Sequence, residues 1–183
     1  RSWGPLEPFD DSMPAILKQN NVHTHLVSDH YHYWEEGGCN YHTKYSTWEA
    51  VRGQEGDPWK GVVLPGQIPE NLNLWERDSW RRQDWINRRY MHGEKHPQKR
   101  TFERGLEFID TNHQSDGWFL TIETFDPHEP YFSDEKYKKA FKHDYDGPVF
   151  DWPAYGRLDY TKSQSQHCRF ENAALVTMCD EQL

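Results

Sequence analysis

The stretch Gly117-Trp118-Phe119-Leu120-Thr121-Ile122-Glu123-Thr124-Phe125-Asp126-Pro127-His128-Glu129-Pro130 constrains the chain more than any other. Trp118 to Phe125 is its longest run of aromatic, β-branched and other apolar residues, and it predicts a buried, mid-sheet strand. The run then stops at two carboxylates and an imidazole set between prolines. Proline fixes φ and biases the residue before it towards extended geometry, so a stiff loop is expected at the strand's carboxyl end. Open α/β sheets place their ligands at that end. The alternative is a strand followed by a solvated turn.

Composition bounds the rest. Hydrophobic residues make up 34% of 183, and the mean hydropathy is −1.11. Disorder would follow from those values alone. However, 9 Trp, 10 Tyr and 9 Phe supply the large buried areas of a folded core. A formal charge of −9 disfavours nucleic acid or an anionic membrane as main partner. No segment has the length and apolarity of a membrane span, and no signal-peptide pattern opens the chain. Cys39, Cys168 and Cys179 are far apart in sequence, which suits free thiols and favours a reducing, cytoplasmic compartment.

Along the chain, Ser12 to Asn21 predicts a short helix with Pro14 in its first turn, and Val22 to Ser28 a strand. A polar loop follows, then a strand or hairpin within Tyr45 to Arg52 and an irregular Val62 to Leu74. Arg77 to His92 reads as a helix. Arg100 to Gln114 is a second, with Phe102, Leu106, Ile109 and His113 at the spacing of one face. Ser133-Asp134-Glu135 caps a short helix through Lys142, Asp144 to Gln166 forms a loop, and Phe170 to Leu183 an amphipathic helix. Repeated helix-then-strand order predicts an α/β fold with a mixed, largely parallel sheet flanked by helices.

Three constellations could carry chemistry. His23 and His25 share one face of a strand, and His30 and His32 point together in an extended loop beside Asp29. Their spacing matches no zinc pattern, and oxyanion-binding or acid–base work suits His30 and His32 better. Packing among Tyr31, Tyr33 and Trp34 is the structural alternative. His128, held between prolines, suits a preorganised donor to an anion. Arg77, Arg81, Arg82, Arg88 and Arg89 read as a solvated helix face balanced by acids rather than an anion site.

Asn21 to His32 and Phe119 to Pro130 together resemble the sulfatase family of the alkaline-phosphatase-like superfamily. The first looks like that family's segment running through a strand into a Gly-Lys-x-His loop, the second like its strand ending in Pro-His-x-Pro. Trp34 to Gly38, Arg52 to Trp59 and Ala173 to Asp180 are similar to a bacterial branch. The resemblance implies a partial alkaline-phosphatase-like fold, truncated at both ends, with residues 1–183 the central part of a single catalytic domain. It implies a sulfuric ester hydrolase acting on a sulfated small molecule or carbohydrate. In such enzymes a formylglycine attacks sulfur while a divalent cation, usually Ca²⁺, binds the sulfate.

By the same resemblance His128 contacts the sulfate and assists the leaving group. His32 helps break down the sulfated intermediate, and His30 stands in the place of the family's lysine with one residue inserted. The chain departs from the family in having no Cys/Ser-x-Pro-x-Arg motif and no early pair of metal-binding aspartates. No metal ligand is therefore assigned within it, and alone it is expected to hydrolyse no sulfate ester. A phosphodiesterase or phosphonate hydrolase of the same superfamily is one alternative, because both groups are tetrahedral anions. A non-catalytic, histidine-rich anion- or metal-binding module is another.

Overall fold

A computed structural model describes residues 4–63, 68–69, 78–156 and 159–183. Trp3, Arg77 and most of the irregular stretch Val62 to Leu74 lie outside the described residues. The chain divides into two compact units, residues 1–52 with 97–125 and residues 53–96 with 126–183.

The first unit is built on helix α1 (Met13–Gln19), strand β1 (His23–Ser28), strand β2 (Thr47–Ala50), helix α3 (Pro97–Asn112) and strand β3 (Trp118–Glu123). Pro14 sits in the first turn of α1, where a missing N–H costs nothing. Asn21, at φ 62°, turns the chain into β1, a conformation asparagine tolerates better than most residues. The three strands are parallel in the order β2-β1-β3. Val27 pairs with Glu49 on one side and with Ile122 on the other. The short strand predicted from Tyr45 is thus a parallel partner of β1 and not half of a hairpin.

Two expectations are corrected here. Among the described residues the central strand is β1, buried from Thr24 to Ser28, whereas β3 is an edge strand, half-buried throughout. Two paired neighbours bury a strand more completely than a run of apolar side chains does. Helix α3 also turns a different face inward. Pro97, Gln98, Thr101 and Gly105 are buried, while Leu106 is 57% exposed. Close approach sets the packing face: a Cβ on Gly105 would lie 2.6 Å from Ile122 Cγ1, so a larger residue there would have to displace the Ile122 side chain.

The second unit contains helix α2 (Asp78–Arg88), the one-turn helix α4 (Glu135–Lys138) and the long helix α5 (Lys162–Gln182). Helix α5 starts eight residues before the predicted Phe170. Thr161 and Gln164 form a capping box: the Gln164 N–H donates to Thr161 Oγ1 at 3.1 Å and the Thr161 N–H to Gln164 Oε1 at 2.9 Å. Its inner face, Ala174, Leu175, Met178 and Cys179, packs on Tyr137.

Helix α2 overturns the solvated arginine face at two positions, while Arg82 and Arg89 are exposed as expected. Arg81 and Arg88 are buried, together with Asp84 and Asp151. Arg88 Nη2 donates to Asp84 Oδ2 at 2.6 Å, Arg81 Nη1 donates to the same oxygen at 3.1 Å, and both guanidinium groups donate to Asp151. Asp151 lies more than sixty positions along the chain, so periodicity within the helix could not have revealed it.

Candidate active site

In the first unit the loop after β1 gathers the polar groups. Ser28 Oγ donates to Glu123 Oε2 at 2.8 Å and the Tyr33 hydroxyl to Glu123 Oε1 at 2.7 Å. His30 Nδ1 lies 3.9 Å from that same oxygen. Burial opposes ionisation of Glu123, yet His30, Tyr33 and Ser28 together hold its carboxyl below the usual range. The His30 ring sits among Tyr33, Phe125 and His32, with centroids 4.6, 5.3 and 5.5 Å away. Asp29 is spent on architecture, its Oδ1 accepting the Phe125 N–H at 2.6 Å.

His32 is buried, and its Nδ1 lies 2.6 Å from Glu35 Oε1. A carboxylate can only accept, so Nδ1 carries a proton, and in the neutral tautomer the lone pair is on Nε2. Sequence reasoning missed Glu35 and Glu123. The first was legible as a carboxylate three residues after a histidine, and the second as an acid ending a strand. Gly38 fixes the turn between His32 and Glu35. A Cβ there would meet the carbonyl oxygen of His32 and lie 2.9 Å from that of Glu35.

His23 and His25 do share a strand face. Both contact Thr47 Oγ1, at 2.9 and 2.7 Å, and both stack on Phe108, with centroids 6.3 and 4.6 Å away. They are packing residues of the sheet–helix interface.

In the second unit the His128 imidazole is accessible, its side chain 37% exposed, as is that of His92. Nδ1 donates to the Glu129 carbonyl oxygen at 2.7 Å, which makes Nε2 the acceptor of the neutral ring. The Tyr155 hydroxyl lies 3.3 Å from Nε2. The flanking acids are buried. Asp126 Oδ2 accepts from Gln54 Nε2 at 2.9 Å and lies 3.7 Å from His96 Nδ1. Burial pushes His96 down to about 4, so it is neutral near pH 7. Peptide bonds Asp126–Pro127 and Glu129–Pro130 are both cis.

A sulfatase family model matches residues 3–168, well over half of the chain. The chain belongs to the sulfatase family. No curated protein matches it significantly. Membership carries the alkaline-phosphatase-like α/β fold, to which the parallel sheet and its flanking helices conform. It also supports a hydrolase of the sulfatase superfamily, a group that acts on sulfated substrates and generally uses a divalent metal.

The described residues do not fit that metal. None of them forms a group of three or more His, Cys, Asp or Glu side chains able to hold an ion. Of the carboxylates around the candidate histidines, Glu35 is bonded to His32, Asp29 to a backbone amide and Glu123 to two hydroxyls. The cysteines are free and buried, and burial, followed by Asp151, pushes the Cys168 thiol up to about 12, which removes it as a nucleophile. Among the described residues no helix is long and apolar enough to cross a membrane.

Proposed function

We propose that residues 1–183 are the central part of one catalytic domain of a sulfuric ester hydrolase and supply its substrate-side histidines. The substrate is a sulfated small molecule or carbohydrate. The formylglycine nucleophile and the Ca²⁺ expected of such an enzyme come from residues other than these, because no Cys/Ser-x-Pro-x-Arg motif is among them.

The observation that carries this reading is His128, an accessible imidazole on a proline-bounded loop whose Nδ1 proton is held by its own backbone. That arrangement leaves Nε2 as the atom that exchanges a proton with a ligand. Protonated, His128 donates from Nε2 to a sulfate oxygen or to the departing ester oxygen. Deprotonated, it recovers the proton from solvent. His32, with Glu35 holding its Nδ1 proton, offers Nε2 as a base for breakdown of the sulfated enzyme. His30, in the lysine's place, contributes positive charge towards a sulfate only when protonated.

The test has two arms. The purified chain is expected to bind inorganic sulfate through His128 and to show no arylsulfatase turnover. Metal-dependent turnover by the 183-residue chain would contradict the assignment of the nucleophile, and sulfate binding unaffected by His128→Ala would contradict the role of His128.

A further inference from the structure

The second unit contains a cleft of about 740 Å³ lined by α2, α4, α5 and the segment around Tyr145. That volume falls in the range of small-molecule sites. The histidine chemistry proposed above leaves it unused, since His128 is not among its lining residues.

Most of the charges lining it are paired before any ligand arrives, and the two others, Arg89 and Glu135, are exposed and of opposite sign. Arg88 is neutralised by Asp84 and Asp151, Lys138 Nζ lies 2.7 Å from Glu171, Lys136 Nζ lies 2.6 Å from Glu181, and His92 Nδ1 lies 3.2 Å from Asp134. A charged ligand gains little from the paired ions, and the exposed, opposite charges of Arg89 and Glu135 favour neither sign. The apolar surface is aromatic. The Arg88 guanidinium is layered between Trp85 and Phe132, 4.9 and 5.1 Å from their ring centroids, and Tyr145 stacks on His167 at 3.9 Å.

Two polar groups ask for a partner. Ser133 is 3% exposed, and its buried Oγ has no hydrogen-bond partner among the described residues. A buried hydroxyl left in that state costs stability that a ligand can return. The second follows from a chain of protons. His143 Nδ1 donates to the Phe141 carbonyl oxygen at 2.8 Å, and in that tautomer its Nε2 accepts from His167 Nδ1, 2.9 Å away. His167 is thereby fixed with a lone pair at Nε2, on a ring that lines the cleft. Burial, with His143 next, lowers His167 to about 4, which keeps it an acceptor near pH 7.

We infer that this cleft binds an uncharged sugar ring, which Ser133 Oγ and His167 Nε2 hold by its hydroxyls against the aromatic walls. A sugar ring combines apolar C–H faces, which rest on aromatic rings, with hydroxyls that both donate and accept. No net charge is required. The site is distinct from the sulfate chemistry, so either proposal can fail alone.

The experiment is ligand-observed NMR on the intact 183-residue chain with glucose, galactose and lactose as probes. Saturable binding in roughly the millimolar range is expected for one of them. Ser133→Ala, a small change that leaves the fold intact, is expected to weaken it about threefold to tenfold. His167→Phe, which keeps a ring on Tyr145 but removes the acceptor, weakens it further, and inorganic sulfate does not compete. Absence of saturable binding by all three sugars overturns the inference. Binding that survives both substitutions unchanged, or that sulfate displaces, also overturns it.

Discussion

The Tyr155 hydroxyl lies 3.3 Å from Nε2 of His128, whose Nδ1 donates to the Glu129 carbonyl oxygen. Tyr155 is itself 70% exposed. On the proposed role of His128, a sulfate oxygen would take this hydroxyl's place. Long-range nitrogen–proton NMR is expected to find His128 as the Nδ1–H tautomer in the free chain. Tyr155→Phe should shift the Nε2 resonance and leave the tautomer unchanged, because the Glu129 carbonyl sets it. An Nε2–H tautomer in the free chain would refute the assignment.

Gly38 bears on His32 through backbone alone. Gly38→Ala sets a methyl group against the carbonyl oxygens of His32 and Glu35, which cannot rotate away as side chains do. A loss of about 1–3 kcal/mol is expected in urea unfolding. It should come with loss of the strongly deshielded His32 Nδ1 proton that a 2.6 Å bond to Glu35 produces. Full stability with that resonance intact would show that the turn does not constrain His32.

Acid should loosen the second unit through Asp151. Burial opposes its ionisation, but Arg88 and Arg81 prevail and hold it down to about 2. The folded pKa is depressed below the unfolded value of about 4, so the stabilisation is complete above pH ~4 and is lost as pH falls through ~2. Asp151→Asn leaves two buried guanidinium groups short of a partner and is expected to cost about 3–5 kcal/mol at pH 7. Chemical denaturation at pH 7 and circular dichroism from pH 5 to pH 2 would check both halves.

His96 acts in a higher window. Its folded pKa of about 4 lies below the ordinary histidine value. The unfolded chain therefore binds a proton below about pH 6.5 that the folded chain refuses until about pH 4. Stability should fall through that interval and be unaffected above it. His167 contributes a second proton of the same sign. Urea midpoints measured from pH 7 to pH 4 should fall less steeply for His96→Phe, by about one proton. An unchanged slope would mean that His96 is not buried as a neutral ring.

Much of this was legible in the sequence, for physical reasons. The order of helices and strands followed from alternation and from turn residues at Pro14 and Asn21, which act locally. The site loops were legible because prolines and paired histidines stand out against their neighbours. What stayed hidden depends on partners distant in the chain. Arg81 and Arg88 looked solvated because Asp151 cannot be assigned to them from spacing. The packing face of α3 was missed because Thr101, Gly105 and Phe108 approach the sheet, and only the last of them is a large apolar residue. Glu35 and Glu123 escaped notice because carboxylates are common, and only geometry distinguishes a partner from a solvated charge.

The central claim is that His128 meets the sulfate group through Nε2. Its most direct test is titration of the 183-residue chain with inorganic sulfate while the imidazole resonances of His128, His32 and His30 are followed by NMR. Saturable movement of the His128 resonances is predicted, with sulfate affinity lost in His128→Ala and retained in His96→Phe. Unmoved His128 resonances at saturating sulfate, or equal binding by His128→Ala, would contradict it.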